Sequence, residues 1–327
     1  WVRETATLRQ RFCQLKECQV RGVLPQVLIF LGAFLLTTAA LAAFYVPGQV
    51  KKTPLDVNSV TRLSGDAMLY DGTTLVPTPV KATSTTHSDS ELSTDEVVLF
   101  QNASCLLKDP DGNAPDCVSA DDPMNRLIAA GTDTFATDRR TGLAVQEFAA
   151  LPAEAERKEG LVNKFPFDTE QKTYQIWDGY VGRAVDAVFQ GEEEIDGLNT
   201  YKFLVSVKDG DIEITDGVPG KYNSEKMMWI EPYTGSIMKQ TEKQTRIQSS
   251  DGQKVLDIDF GFTDETVATN VKDGKANAGL LKTVGSTVPL VAIPLGLISL
   301  LAGLFLARRQ AAARQADAGT RSGRASA

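Results

Sequence analysis

The hydrophobic residues of this chain are concentrated in two long runs. Residues 22–50 and 283–307 contain no Asp, Glu, Lys, Arg or His. Each run exceeds the roughly 20 helical residues that are needed to cross the hydrocarbon of a bilayer. The pattern therefore predicts transmembrane helices over residues 23–46 and 283–307, and it excludes a freely soluble protein.

The first run has a second interpretation as a secretory signal. Ala40-Leu41-Ala42 resembles a small-residue cleavage site that follows a positively charged start. A signal core is usually about 7–15 residues long, and this run is longer. Phe44 and Tyr45 also form an aromatic pair typical of a membrane interface. We therefore favour an uncut anchor.

Between the two runs, the pattern changes to short segments rich in Val, Ile, Thr, Tyr and Phe that end at Gly, Pro, Asp or Asn. This alternation is typical of strands and hairpins. Two hairpin turns are clear, at Asp196-Gly197 and at residues 232–235. The sequence predicts a mainly β fold with a few short helices: a curved antiparallel sheet or half-barrel over residues 47–282, flanked by the two transmembrane helices.

Three segments of the middle region do not show the strand pattern. Residues 78–94 are rich in Ser, Thr and Asp and predict an exposed loop. Residues 122–130 and 149–160 predict two short helices, the first with Pro123 near its start.

The distribution of charge predicts how the chain is oriented in the membrane. The chain carries a net charge of −8, yet both ends are basic, with Arg9 and Arg11 before the first run and Arg308 and Arg309 after the second. Basic residues beside a span are retained on the cytoplasmic side. We expect a two-pass plasma-membrane protein with a basic cytoplasmic segment over 1–22, an extracytoplasmic β domain, and a basic, disordered cytoplasmic tail over 308–327.

The four cysteines divide between the two predicted compartments. Cys13 and Cys18 lie on the cytoplasmic side, where thiols stay reduced, and Cys105 and Cys117 lie outside, where disulfides persist. We predict a bond between Cys105 and Cys117, with two free thiols as the alternative.

The sequence shows no set of catalytic residues. His87 is the single histidine, so Ser-His-Asp, Cys-His and zinc sites are excluded. Asp109-Pro110-Asp111-Gly112-Asn113 begins like a calcium loop, but Ala114 stands where a turn glycine is needed. We predict no enzyme activity, no cofactor and no metal. A pair of carboxylates acting on a glycan remains open as an alternative, and the acidic middle region argues against nucleic acid as a partner.

One segment of the middle region is rich in aromatic residues. Either the rings fill the core of a curved sheet, or some of them line a groove for a ligand. The candidate groove residues are Phe165, Phe167, Tyr174, Trp177 and Tyr180.

Four segments carry a resemblance to a known family. They are residues 31–65, KFPFDTEQKTYQIWD (164–178), GEEEIDGLNTYKF (191–203) and WIEPYTGSIMK (229–239), followed by the closing span and its arginine tail. Together they resemble the actinobacterial envelope family that is labelled "porin PorA family", otherwise known as a domain of unknown function. The resemblance covers Val27 to Arg309, and it carries over no catalytic residues.

The resemblance implies a function, because the family includes a mycobacterial and corynebacterial member implicated in lipoglycan synthesis. We therefore expect a non-enzymatic envelope protein that supports lipomannan and lipoarabinomannan synthesis. Its expected partners are a membrane lipid or lipid-linked glycan, or an envelope glycosyltransferase. The alternatives are a protein scaffold without a ligand cavity and an envelope glycan hydrolase. A true porin is disfavoured, because a membrane barrel needs an outward apolar band.

Overall fold

The computed structural model describes the backbone of residues 23–324 and the side chains as far as residue 315. The predicted basic segment 1–22, with Cys13 and Cys18, lies outside the described residues. Two compact units are present: a β unit, Lys51–Gly279, and a helical unit that contains the described residues before and after it.

The β unit is built on one antiparallel sheet of ten strands in the order β4-β3-β2-β1-β10-β9-β8-β7-β6-β5. Neighbouring strands are joined mostly by hairpins, as the alternating pattern predicts. The strands are β1 (Asn58–Tyr70), β2 (Leu75–Asp89), β3 (Val97–Lys108), β4 (Leu127–Asp138), β5 (Tyr174–Asp178), β6 (Arg183–Ile195), β7 (Leu198–Thr215), β8 (Val218–Glu231), β9 (Ser236–Gln248) and β10 (Lys254–Phe262). The predicted fold class, mainly β with a curved antiparallel sheet, is confirmed.

The two edge strands of this sheet are linked by the chain that runs between them. Ala144 forms a β-bridge to Thr137 of β4, and Leu161 forms one to Ile176 of β5. The backbone N–H of Ala144 donates to the carbonyl oxygen of Gly160 at 2.9 Å, which joins the two short segments. Backbone hydrogen bonds therefore continue from the end of β4 through these two short segments to β5. They close the curled sheet at this point.

The main hydrophobic core lies between strands β5 to β9. Phe165, Phe203, Tyr222 and Met228 are all buried there. A second cluster, with Val80 and Ile258 at its centre, lies under β1, β2 and β10. Burial of these apolar side chains on one face is what fixes the register of the strands.

The prediction of a loop over residues 78–94 was wrong, because most of it belongs to β2. Thr83 and Ser88 are buried, and His87 pairs in register with Asn58 and Gln101. Strand propensity is dominated by neighbours, and β1 and β3 supply backbone hydrogen-bond partners on both sides of β2. Few apolar residues were therefore needed to form this strand.

The two predicted short helices were also wrong. Residues 122–130 form turns and the start of β4, and residues 149–160 form turns and irregular chain. The pattern missed α2 (Asp264–Lys282), which continues through a π-helical turn, Thr283–Thr287, into α3 (Val288–Arg324).

The predicted disordered tail was wrong for residues 308–324, which continue α3. Alanine and arginine have high helix propensity, and a helix that already exists extends without a nucleation cost. Residues 325–327 lie outside the described part.

Two helical segments, α1 (Val23–Val50) and the run Asp264–Gln315, are long and apolar enough to cross a membrane. The two helices approach closely at glycines. A Cβ on Gly296 would lie 3.2 Å from the carbonyl oxygen of Gly32, and one on Gly303 would lie 2.8 Å from the backbone nitrogen of Ile29. Small residues allow this backbone contact between helices in membranes.

Candidate functional site

A cavity of about 670 Å³ lies where the two edges of the sheet meet. We call it the β4–β5 cavity. Its wall combines side chains of β2, β3 and β4 with Trp177 of β5 and with the chain that connects β4 to β5. The residues used below are Thr86, Asn102, Asp133, Lys158, Asn163 and Trp177.

Strand register places one polar wall of this cavity. Thr86 pairs with Asn102, and Asn102 pairs with Asp133, so the three side chains share one face of neighbouring strands. The amide nitrogen of Asn102 donates to Thr86 Oγ1 at 2.9 Å and to Ser84 Oγ at 2.9 Å. This wall is therefore preorganised by bonds within the sheet.

Lys158 is the centre of charge in the cavity. Its side chain is only 3% exposed, and its ammonium lies 2.7 Å from Glu156 Oε2 and 3.1 Å from Asp133 Oδ2. The same ammonium lies 5.1 Å from the ring centroid of Trp177, a cation–π contact. Two carboxylates and an aromatic face thus hold one buried cation, as a buried charge requires.

The carboxylates outnumber the lysine in this cavity. Glu154 lines it together with Asp133 and Glu156, so the carboxylates exceed Lys158 by two charges. The two carboxylates that contact Lys158 share the same ammonium. A negatively charged ligand would therefore be repelled.

Two residues that line the cavity each carry a buried polar atom that has no hydrogen-bond partner in the protein. The atoms are the amide oxygen Oδ1 of Asn163 and the indole nitrogen Nε1 of Trp177. Leaving such a group unpaired costs about 1–3 kcal/mol. Most buried polar groups have partners, so two unpaired ones on residues that line one cavity are unusual.

The five aromatic residues that were predicted to line a groove lie in different surroundings in the structure. Phe165 and Tyr174 pack on Phe203 in the core, with ring centroids 4.6 and 5.9 Å away. Phe167 lies under Lys164, whose Nζ is 3.6 Å from the ring centroid. Tyr180 lies outside the core, under the guanidinium of Arg246 at 4.2 Å.

Only Trp177 of those five residues lines the cavity. Binding of a ligand by any of the five stays a prediction. Sequence reasoning missed Lys158, Asp133 and Asn163, since they come from separate segments and no local pattern marks them.

Lys164 is a partly buried lysine, and it lies beside Glu231. Burial lowers the pKa of its ammonium to about 7, and the negative charge of Glu231 opposes that shift only in part. Its Nζ lies 3.4 Å from Thr53 Oγ1. Glu231 itself accepts hydrogen bonds from the backbone nitrogens of Tyr233 and Thr234, which fixes the predicted turn at 232–235.

The other features named from sequence have structural roles. Cys105 and Cys117 form the predicted disulfide. Within the calcium-like segment, Asp109 Oδ1 accepts a hydrogen bond from the backbone nitrogen of Ala114 at 2.8 Å, as in an ordinary turn. No group of three or more His, Cys, Asp and Glu that could hold a metal occurs among the residues the structure describes.

These features define a class: a membrane protein with a pair of apolar helices and a curled β domain. A family model described as "Porin PorA" matches residues 24–305. The chain therefore belongs to the PorA porin family. Porin PorA of Corynebacterium resistens is 24% identical over an alignment of 324 residues that covers 70% of this chain and 76% of the relative.

The expected role in lipomannan and lipoarabinomannan synthesis was wrong. Both matches are described as porins, and neither description names lipoglycan synthesis or lipid binding. The expectation that a porin is disfavoured was also wrong, because both matches are described as porins. Neither match tests the expected partners, a membrane lipid or lipid-linked glycan and an envelope glycosyltransferase.

Proposed function

We propose that this protein is a subunit of a membrane passage for small solutes, in which several copies surround the passage with their helix pairs. The family description supports a passage. The packing of α1 on α3 supports the arrangement of several copies around it. Backbones in contact at Gly32, Gly296 and Gly303 leave no lumen between the two helices of one chain. A passage would therefore be formed between chains.

The β unit is a poor candidate for the membrane wall. Glu225, Lys243 and Asp259 pair across three neighbouring strands on the outer face of the sheet. Lys243 and Asp259 form an ion pair at 3.1 Å with both side chains largely exposed. A lipid-facing strand surface carries an apolar band instead, so the outer face of these strands fits water.

The helix pair has one side with polar and small residues that the partner helix does not cover. Gln26, Ala33 and Thr37 are exposed on α1, and their spacing of seven and four residues puts them on one face of the helix. Polar groups within membrane spans commonly mark a solute pathway. We place this face of α1 toward the passage.

The test is conductance of the full chain in planar lipid bilayers. We expect stepwise conductance that rises more steeply than linearly with protein density, since several copies are needed. Thr37→Leu should lower the conductance per step. The matched control is Leu290→Ile, at an exposed apolar position of the second span, which should leave it unchanged.

Two outcomes would count against the passage. Protein with native β-sheet circular dichroism and an intact disulfide that conducts no better than lipid alone would overturn it. Conductance that Thr37→Leu leaves unchanged would overturn the placement of that face.

The orientation is a separate part of the proposal. We infer that both ends of the chain lie in the cytoplasm, with the β unit on the other side, since Arg308 and Arg309 follow the second span. A tag after residue 327 should resist protease added to intact cells and be cut after lysis. Cleavage in intact cells would reverse the assignment.

A further inference from the structure

Each of the two membrane-crossing segments contains a π-helical turn. The turns are Leu41–Tyr45 in α1 and Thr283–Thr287 directly before α3. π-Helical turns are rare, and they occur mostly as single insertions in α-helices. The two turns are in contact with each other in the structure, so they lie at the same level of the helix pair.

The sequence gives both turns the same cause. A Val-Pro pair follows each turn, at residues 46–47 and 288–289. Proline has no N–H, and its ring clashes with the carbonyl group four residues back. The N–H of Val46 donates to the carbonyl oxygen of Leu41, five residues back, and Val288 makes the corresponding bond in α3. Each helix therefore widens by one residue in front of its proline.

Among the residues that the structure describes, each turn leaves one carbonyl oxygen without a donor from its own helix. The carbonyl of Ala42 would accept from residue 46 in an α-helix and from residue 47 in a π-helix. The N–H of Val46 is already bonded to Leu41, and residue 47 is a proline. By the same count, the carbonyl of Val284 has no helical donor in the second turn. Fewer backbone bonds thus hold each helix at this level than in an uninterrupted helix.

The packing between the helices also changes at this level. A Cβ on Gly32 would lie 2.6 Å from the backbone nitrogen of Leu300, so the two backbones are in contact there. A Cβ on Gly285, inside the second turn, would meet nothing within 4 Å. The contacts at glycines therefore hold residues 25–36 and 296–303 together as one body, and the second turn has no such contact at its glycine.

The shared level matters because neighbouring helices support each other. A weak point in one helix is splinted when the helix beside it is unbroken. Pro294 in α3 is such a case, since a Cβ on nearby Gly296 would lie 2.9 Å from Leu36 Cγ, and α1 is regular α-helix over residues 23–40. At the π-turns both helices are interrupted together, so neither supports the other.

We propose that the two π-turns form one hinge, at which α1 and α3 bend together. Sharp bends in helices occur at prolines and at π-helical insertions, and each helix has both at this level. The glycine-packed part of the pair tilts as a body relative to the helix segments on the other side of the turns. This inference rests on the helix pair alone and does not depend on the proposed passage.

The experiment is double electron–electron resonance on the full chain in lipid nanodiscs, with the two cysteines before α1 replaced by Ser. One preparation carries spin labels across the first turn, at Phe30→Cys and Gln49→Cys. A second preparation carries them across the second turn, at Leu280→Cys and Ile298→Cys. All four positions are exposed. The labelled backbones would be about 27–29 Å apart in a straight α-helix.

We expect broad distance distributions in the native chain, because the hinge adopts several angles. Pro47→Ala restores an N–H at the first turn and should narrow the distribution across that turn by about half. Because an unbroken α1 then splints its neighbour, the same variant should also narrow the distribution across the second turn, where no residue of the hinge was changed. Pro289→Ala should act in the reverse direction. Alanine is the best helix former, so both variants should stay folded.

The matched control is Pro294→Ala, which also restores an N–H in α3 but lies where α1 is already unbroken. It should leave both distributions unchanged. Native distributions as narrow as those of Pro47→Ala would overturn the hinge. Narrowing confined to the substituted helix would show that the two turns bend independently, which contradicts a shared hinge. Equal narrowing by Pro294→Ala would overturn the role of the π-turns.

Discussion

The two units of this chain are packed by different physical means. In the helical unit, α1 and α3 meet at glycines, backbone against backbone, while large apolar side chains such as Phe30 and Leu290 point away. In the β unit, large side chains such as Phe203 and Tyr222 point inward and are completely buried. The difference follows the solvent, because burial of apolar surface is favourable in water but gains nothing in lipid.

The β unit also buries charge, which the described part of the helix pair does not. Glu242 accepts hydrogen bonds from Ser224 Oγ at 3.1 Å and Tyr222 Oη at 3.3 Å, and it pairs with Lys226 at 3.4 Å. Burial opposes the charge on Lys226, yet the carboxylates of Glu242 and Asp178 raise its pKa overall. Such a group is stable only while every member keeps its partner.

The largest expected effect breaks this pair, in which Glu242 is buried and the Lys226 side chain is 24% exposed. Glu242→Leu leaves the Lys226 ammonium without its carboxylate and should cost about 3–5 kcal/mol in the free energy of unfolding. Adding Lys226→Met should recover most of that loss, since the uncompensated charge is then gone. Denaturant titration of the full chain, followed by tryptophan fluorescence, measures both. A double variant as unstable as the single one would show that the charge is not the cause.

A smaller effect is expected in the helix pair. Gly303→Leu would force a side chain into the backbone of α1 at Ile29, and such overpacking costs roughly 1–3 kcal/mol. Spin labels at positions 24 and 304, in a chain with Cys13 and Cys18 replaced by Ser, should move apart by several ångströms. Gly285→Leu is the control, because nothing lies within 4 Å of its Cβ position. Equal label distances in both variants would mean that the glycine contact does not hold the helices together.

The smallest effect depends on pH and concerns Lys164. Its pKa is lowered to about 7 in the folded chain, whereas an unfolded lysine has a pKa near 10.4. Between these two pKa values, Lys164 is protonated in the unfolded chain and mostly deprotonated in the folded chain. The free energy of unfolding therefore rises with pH, and this gain is lost as the pH falls toward 7.

Over the step from pH 7 to pH 8, this group should contribute about 1 kcal/mol of added stability. Lys164→Met should abolish that increment and leave the other titrations in place. The measurement is the difference between the two unfolding free energies at each pH. A difference that does not change with pH would contradict the lowered pKa.

Several features followed from the sequence alone. The two charge-free runs are long enough to predict the membrane helices, and alternation with turn residues predicts an antiparallel sheet. Both are local properties, readable over ~5–20 residues. The bond between Cys105 and Cys117 was also accessible, because a short polar segment separates the two cysteines.

The tertiary structure decided the rest. β2 exists because β1 and β3 pair with it, although its own residues resemble a loop. The β4–β5 cavity exists because the first and last strands of the sheet are brought together, which puts Asp133 near Lys158 and Trp177. No local pattern relates such distant segments, since backbone hydrogen bonds across a closed sheet depend on the whole path of the chain. The sequence thus determined the two long apolar helices and the β structure between them, and the closure of the sheet determined where the cavity lies.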